Sequence, residues 1–211
     1  MRKSVLFVSV LGLLTGCALG TTSYSPPAAY GHIENEKIIN RPIDEVWASA
    51  IPSLGKDFFV INNIDKDSGL INLSYNGNPE KYLDCGTVEA EVSNARGKRN
   101  YHFNAASPHQ RYEIFDQGML FGVTRKMDLN GRINLIFEEI DPSQTKATAN
   151  VRYAVTKKVH ATPVAGGYPL VFDDTITFDS NSSARFPGKE DEQTRCVSNG
   201  KLEKEVLSLI Q

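Results

Sequence analysis

Residues 133–155 read INLIFEEIDPSQTKATANVRYAV. Ile133, Leu135 and Phe137 stand at every second position, Asp141-Pro142-Ser143-Gln144 is rich in turn-forming residues, and Ala147, Ala149, Val151, Tyr153 and Val155 alternate after it. A period of two is the pattern of a strand with one buried face. Two such runs joined by a turn make an antiparallel hairpin with one solvated side. The sheet is therefore antiparallel, and the rest of the chain is read outward from this hairpin.

Toward the N-terminus, Pro42 opens a helix with Asp44 and Glu45 in its first turn, where the helix dipole favours acids. Ile43, Val46, Trp47, Ala50, Ile51, Leu54 and Phe58 recur at helical spacing, and Trp47, the only tryptophan, belongs to the core. Pro52 falls inside this run and should kink or end it. Glu36 to Asn40 reads as a strand before the helix. Phe59 to Ile64 and Leu70 to Tyr75 read as a hairpin about the turn Lys66-Asp67-Ser68-Gly69. A calcium loop does not fit there, because the glycine is misplaced and the twelfth position is Asn76 rather than Glu. Val88, Ala90 and Val92 alternate. Residues 93–131 hold no sustained period beyond one weak strand near Tyr101 to Ala105, and read as a long irregular excursion of the kind that is often functional.

Toward the C-terminus, Leu170 to Phe178 is a strand, Ser180 to Glu192 a polar surface loop, and Thr194 to Val197 a short last strand. Leu202, Val206, Leu209 and Ile210 form one face of a closing helix. The expected fold class is α+β, an antiparallel sheet with an N-terminal helix and a C-terminal helix packed on it. Pro42 to Trp47, as Pro-x-x-x-Val-Trp, followed by the Asp65 to Gly69 turn, is similar to the helix-grip domains of the C lipoprotein of the β-barrel assembly complex. That resemblance implies a helix-grip-like sheet. The irregular segment and the cysteine pair depart from the family's pattern.

The first residues are a separate matter. Arg2 and Lys3 precede an apolar run from Val5 to Leu14. That run is shorter than the roughly 20 residues a spanning helix needs and has the layout of an export signal. It ends Leu14-Thr15-Gly16-Cys17, which resembles the lipobox of bacterial lipoproteins. The resemblance implies lipid attachment at Cys17 and removal of residues 1–16. Two or more acyl chains give a stable anchor where one gives only a marginal one. Ala18 stands where lipoproteins retained in the inner membrane usually carry Asp, which implies the outer membrane, facing the periplasm. Residues 17–31, with Thr21, Thr22, Ser23, Ser25 and Pro26-Pro27, read as a flexible tether. Residues 32–211 then form a single periplasmic domain.

Cys85 and Cys196 remain, and an even pair in an oxidising compartment reads as a disulfide. Closing a loop of about 100 residues stabilises by ~4.7 kcal/mol in the chain-entropy model. The formal net charge is −2, and the signal removes two more positive charges, so nothing here suits nucleic acid. There is no Gly-x-Ser-x-Gly, no His-Glu-x-x-His and no phosphate-binding glycine loop. His32, His102, His109 and His160 have no metal-ligand spacing, so no metal or cofactor is expected. Glu138-Glu139 and Asp173-Asp174 are adjacent on strands and point to opposite faces. Arg96, Lys98 and Arg99, with Lys157 and Lys158, are the basic clusters that could meet an anionic partner. The sequence thus implies a non-enzymatic, membrane-anchored lipoprotein that acts as an interaction or assembly component with an envelope protein partner. The alternative is a binder of a small lipid or glycan in a cavity between helix and sheet. A third reading is a hydrolase whose acid pair comes together from distant strands.

Overall fold

A computed structural model describes residues 19–28, 31–188 and 193–211. The signal and the lipobox residues Leu14, Thr15, Gly16 and Cys17 lie outside the described residues. In chain order come β1 (Leu19–Ser25), β2 (Glu36–Ile39), α1 (Ile43–Gly55), β3 (Val60–Asp65), β4 (Leu70–Gly77) and β5 (Leu83–Asp84). Next are β6 (Thr87–Asn94), β7 (Gly97–Asn104), β8 (His109–Asp116), β9 (Met119–Asp141) and β10 (Gln144–Pro163). The chain closes with β11 (Leu170–Asp179), β12 (Ser183–Arg185), β13 (Arg195–Ser198) and α2 (Lys201–Ser208).

The expected hairpin is present but far longer than its sequence signal. β9 has 23 residues and β10 has 20, paired from Gln144↔Asp141 at the turn to Pro163↔Phe121 at the far end. β4 and β3 extend the sheet beyond β9 near the turn, and β8 pairs with β9 at the far end. Along β10, β2 pairs near the turn and β11 further on. A second sheet has the order β1-β6-β7, and a small third one the order β12-β13-β5.

The α+β, helix-grip-like expectation is overturned. Of the described residues 59% are in strands and 13% in helices, arranged as three antiparallel sheets. Both helices exist, but they cover only part of one sheet face. The physical reason lies in residues 93–131, which are not an excursion: they carry the end of β6, then β7, β8 and the first half of β9. A second correction concerns the tether. Residues 19–25 pair with β6 from Leu19↔Ser93 to Ser25↔Thr87. Their small polar side chains gave no burial signal because backbone hydrogen bonds, not apolar burial, hold this edge strand.

Three covers lie in succession along the inward face of β9 and β10. α1 packs near the turn, where Trp47 meets Phe137 edge-on at 5.5 Å. Pro52 does not end α1, which runs on to Gly55. α2 covers the middle, and Gly131 makes room for it, since a Cβ there would stand 3.1 Å from Leu202. The β1-β6-β7 sheet covers the far half, with Phe103 against Tyr112 at 4.9 Å. The Cys85–Cys196 disulfide forms as expected, between fully buried residues beside β5 and in β13. The even pair of cysteines was the signal that found it.

Glu203 fixes α2 to the sheet. It is fully buried, and the Tyr153 hydroxyl donates to its two oxygens at 2.8 and 2.9 Å while the Ser180 hydroxyl donates at 2.6 Å. Burial and the Glu203 charge push the Tyr153 phenol far up from its usual range. Losing the carboxylate removes these charge-assisted hydrogen bonds, leaving the buried Tyr153 hydroxyl with Ser198 and the half-buried Ser180 hydroxyl with the Val151 carbonyl. Glu203→Ala should therefore cost about 3 kcal/mol of stability in urea unfolding, and Glu203→Gln, which keeps an acceptor, distinctly less. Equal losses in the two variants would contradict this role.

Candidate functional site

The inward series of β9 is Phe121, Val123, Arg125, Met127, Leu129, Gly131, Ile133, Leu135 and Phe137, all buried. Successive odd positions share a face because strand side chains alternate. Arg125 is the one charged member. On β10 the matching series from Ala147 through Tyr153 and Val155 to Ala161 is interrupted by Lys157. Arg125 pairs with Val159, and Lys157 with Met127, so the two cations are diagonal neighbours on one face.

Arg125 is 3% exposed, and neither terminal guanidinium nitrogen has a hydrogen-bond partner among the described residues. Burying a charge without partners costs several kcal/mol. Burial lowers the Arg125 pKa, and the groups acting against that shift are the phenols of Tyr112 and Tyr24 rather than a carboxylate. Arg125 lines a cavity of about 490 Å³ between the two larger sheets, with its terminal nitrogens buried behind the wall. Tyr24 of β1, Val88 of β6, Tyr112 of β8 and Val159 of β10 form its walls with the two cations. No acidic side chain lines it among the described residues.

Lys157 shares this space. Its ammonium lies 4.5 Å from the centroid of the buried Phe186 ring. Burial first, and the Arg125 charge second, push its pKa down to about 8 against a weaker pull from Asp174. The opposite wall is braced. The Tyr24 hydroxyl donates to the carbonyls of Cys85 at 3.0 Å and Arg195 at 3.2 Å, and accepts from the Arg195 amide at 2.8 Å. Those residues flank or carry the disulfide, so the crosslink holds one side of the cavity. Burial raises the Tyr24 and Tyr112 phenols, which keeps both protonated.

Two cations of different reach, beside a cavity lined by two phenols, two valines, Thr22, Ser23 and Thr194, can hold an oxyanion. The guanidinium fork matches a carboxylate or phosphate in two-point geometry. The ammonium adds a movable third donor.

The basic residues singled out by sequence are not brought together. Arg96, Lys98 and Arg99 lie on the β6–β7 hairpin, where Lys98 pairs with Glu91 at 2.7 Å and Arg99 with Glu113. None of the three lines the cavity. Lys157 does, whereas its neighbour Lys158 faces the other side and pairs with Asp173 at 3.2 Å. Arg125 was missed. Stepping back from Ile133 by twos would have found it, as the sole charge in an otherwise inward series. The acid pairs do not converge: Glu138 is bound to Lys146 at 2.7 Å, and Asp173 to Lys158. Among the described residues, no group of three or more His, Cys, Asp or Glu could hold a metal, and no helix is long and apolar enough to cross a membrane. Compared with protein-family models, curated proteins and solved structures, the chain matches none.

Two measurements follow from the unpaired charge. Arg125→Met keeps the apolar stem and removes the buried cation, so it should raise stability by on the order of 1–3 kcal/mol in the absence of ligand. A lower melting temperature would contradict an uncompensated guanidinium. For Lys157, the unfolded chain binds a proton up to about pH 10.4, whereas the folded chain releases it near 8. Between those values the unfolded state holds more protons, so stability rises with pH. The stability of the protein relative to Lys157→Met should climb from about pH 8 to about pH 10. A decline across that window would contradict the assignment.

Proposed function

We propose that this chain is a lipid-anchored lipoprotein of the outer membrane, facing the periplasm, that works by binding a ligand rather than by catalysis. The ligand presents a carboxylate or phosphate to Arg125 and Lys157 and places an apolar body against Tyr24, Tyr112 and Val159. The anchor rests on the Leu14-Thr15-Gly16-Cys17 motif at the end of an export-type signal. Binding rests on one observation, a buried guanidinium with two unpartnered nitrogens on a residue that lines a cavity. Water alone compensates such a group poorly in apolar surroundings, whereas an anion supplies both missing acceptors and most of the missing charge. Of the readings drawn from sequence, this supports the binder of a small ligand over the assembly component with an envelope protein partner. The cavity lies between two sheets rather than between helix and sheet.

Native mass spectrometry of the protein extracted gently from its own membranes tests both halves. The mature chain should begin at Cys17, carry acyl chains there, and hold a small adduct that leaves on collisional activation. Arg125→Met should keep the acyl mass and lose the adduct. An unacylated Cys17 removes the anchor, and a wild-type protein without any adduct removes the binding role.

A further inference from the structure

Some of the exposed apolar side chains, Ile38, Ile64 and Ile140, lie at the turn end, and a second group lies at the far end of the long sheet. Leu19 begins β1 there, beside Ser93 and the β6–β7 turn. Gly20 is seated so closely on β8 that a Cβ would stand 2.7 Å from that of Phe115. Phe115 pairs with Leu120 across the turn 116–119, and the Leu120 carbonyl accepts from the Val164 amide at 2.8 Å. The loop from Val164 then overhangs this end before β11 starts at Leu170, opposite Ala161. The β1 start, the turn 116–119 and the loop 163–170 therefore converge.

This end is apolar at its surface. Leu19 is 66% exposed, Met119 49%, Val164 48% and Leu170 50%. Tyr168 is 94% exposed, the most of any large apolar side chain described. Beneath them a small satellite core of Phe121, Val123 and Ala161 stiffens the tip. A monomeric water-soluble surface rarely gathers such residues without a partner. Tyrosine at an apolar tip suits a membrane interface, where its ring sits among acyl carbons and its hydroxyl among headgroups.

The path of the chain identifies the partner. One residue, Ala18, separates Leu19 from Cys17, so the two can be no more than about 7 Å apart. A lipid on Cys17 would bring a bilayer to this end and to no other. We infer that the turn 116–119 and the loop 163–170 form a membrane-contacting tip, whose apolar side chains enter the interfacial layer of the phospholipid leaflet that holds the Cys17 lipid. The inference rests on acylation of Cys17, which supplies the leaflet. The tip makes a second attachment point beside the acyl chains and so fixes the tilt of the whole sheet. Arg125 lies six residues along β9 from Met119, which sets the cavity about 20 Å from the leaflet.

Site-specific photocrosslinking tests the tip in the full-length protein, in the membranes of the cells that make it. p-Benzoylphenylalanine replaces Tyr168 in one variant and Ile140 in the other; Ile140 is also exposed, at the opposite end of β9. Irradiation should give phospholipid adducts at least tenfold more abundant for Tyr168→p-benzoylphenylalanine than for Ile140→p-benzoylphenylalanine. Equal lipid labelling at both positions, or adducts to protein at position 168, would overturn the inference. The intact mass of the same samples separates the two levels of failure. Acyl chains on Cys17 without a lipid adduct at position 168 overturn the tip alone. Absence of both overturns the anchor and the tip with it.

Discussion

The ladder between β9 and β10 is the constraint on which everything else depends. Its 20-residue length in β10 is paired in one register after the irregularity beside the turn. Because strand side chains alternate, that register decides the facing of every side chain out to Phe121 and Pro163. Arg125 cannot be turned outward without exposing Val123 and Met127, and Lys157 cannot leave without exposing Val155. The cations are held inside by the burial of their neighbours. A cost of several kcal/mol at one position is tolerable because dozens of apolar contacts along the same ladder resist any slip.

The three covers of that face explain where the cavity lies. α1 and α2 bury the turn-proximal and middle parts, and the β1-β6-β7 sheet buries the far part. Arg125 and Lys157 stand at the seam, where the helical covers give way to the second sheet. The disulfide and the Tyr24 hydroxyl tie the seam's outer wall to β5 and β13. The same β1 that supplies this wall leads directly toward Cys17.

Much of this was legible in the sequence wherever burial and periodicity agreed. The 133–155 hairpin, the first hairpin, both helices, the burial of Trp47 and the cysteine pair are present, although the long hairpin extends past its reading and Phe58, read on the helix face, lies exposed beyond α1. The readings failed where an inward position is not apolar. Arg125 and Gly131 break the alternation of β9, and Lys157 breaks that of β10; past these points the signal looks like loop. Gly131 is the seat of Leu202, and the two cations are the candidate site, so the breaks have physical causes. β8, reading HQRYEIFD, has no fully buried side chain, and β1 is small and polar, so backbone pairing carries both. Lys157 was singled out, but together with Lys158, and adjacent strand residues cannot share a face.

The most direct test is a crystal structure of the protein purified without stripping from its membranes, with attention to the Arg125 guanidinium. A bound oxyanion accepting from its terminal nitrogens, with the Lys157 ammonium turned toward the same group, is the result expected. A carboxylate of the chain itself seated on that guanidinium, leaving no room for a ligand, would contradict it.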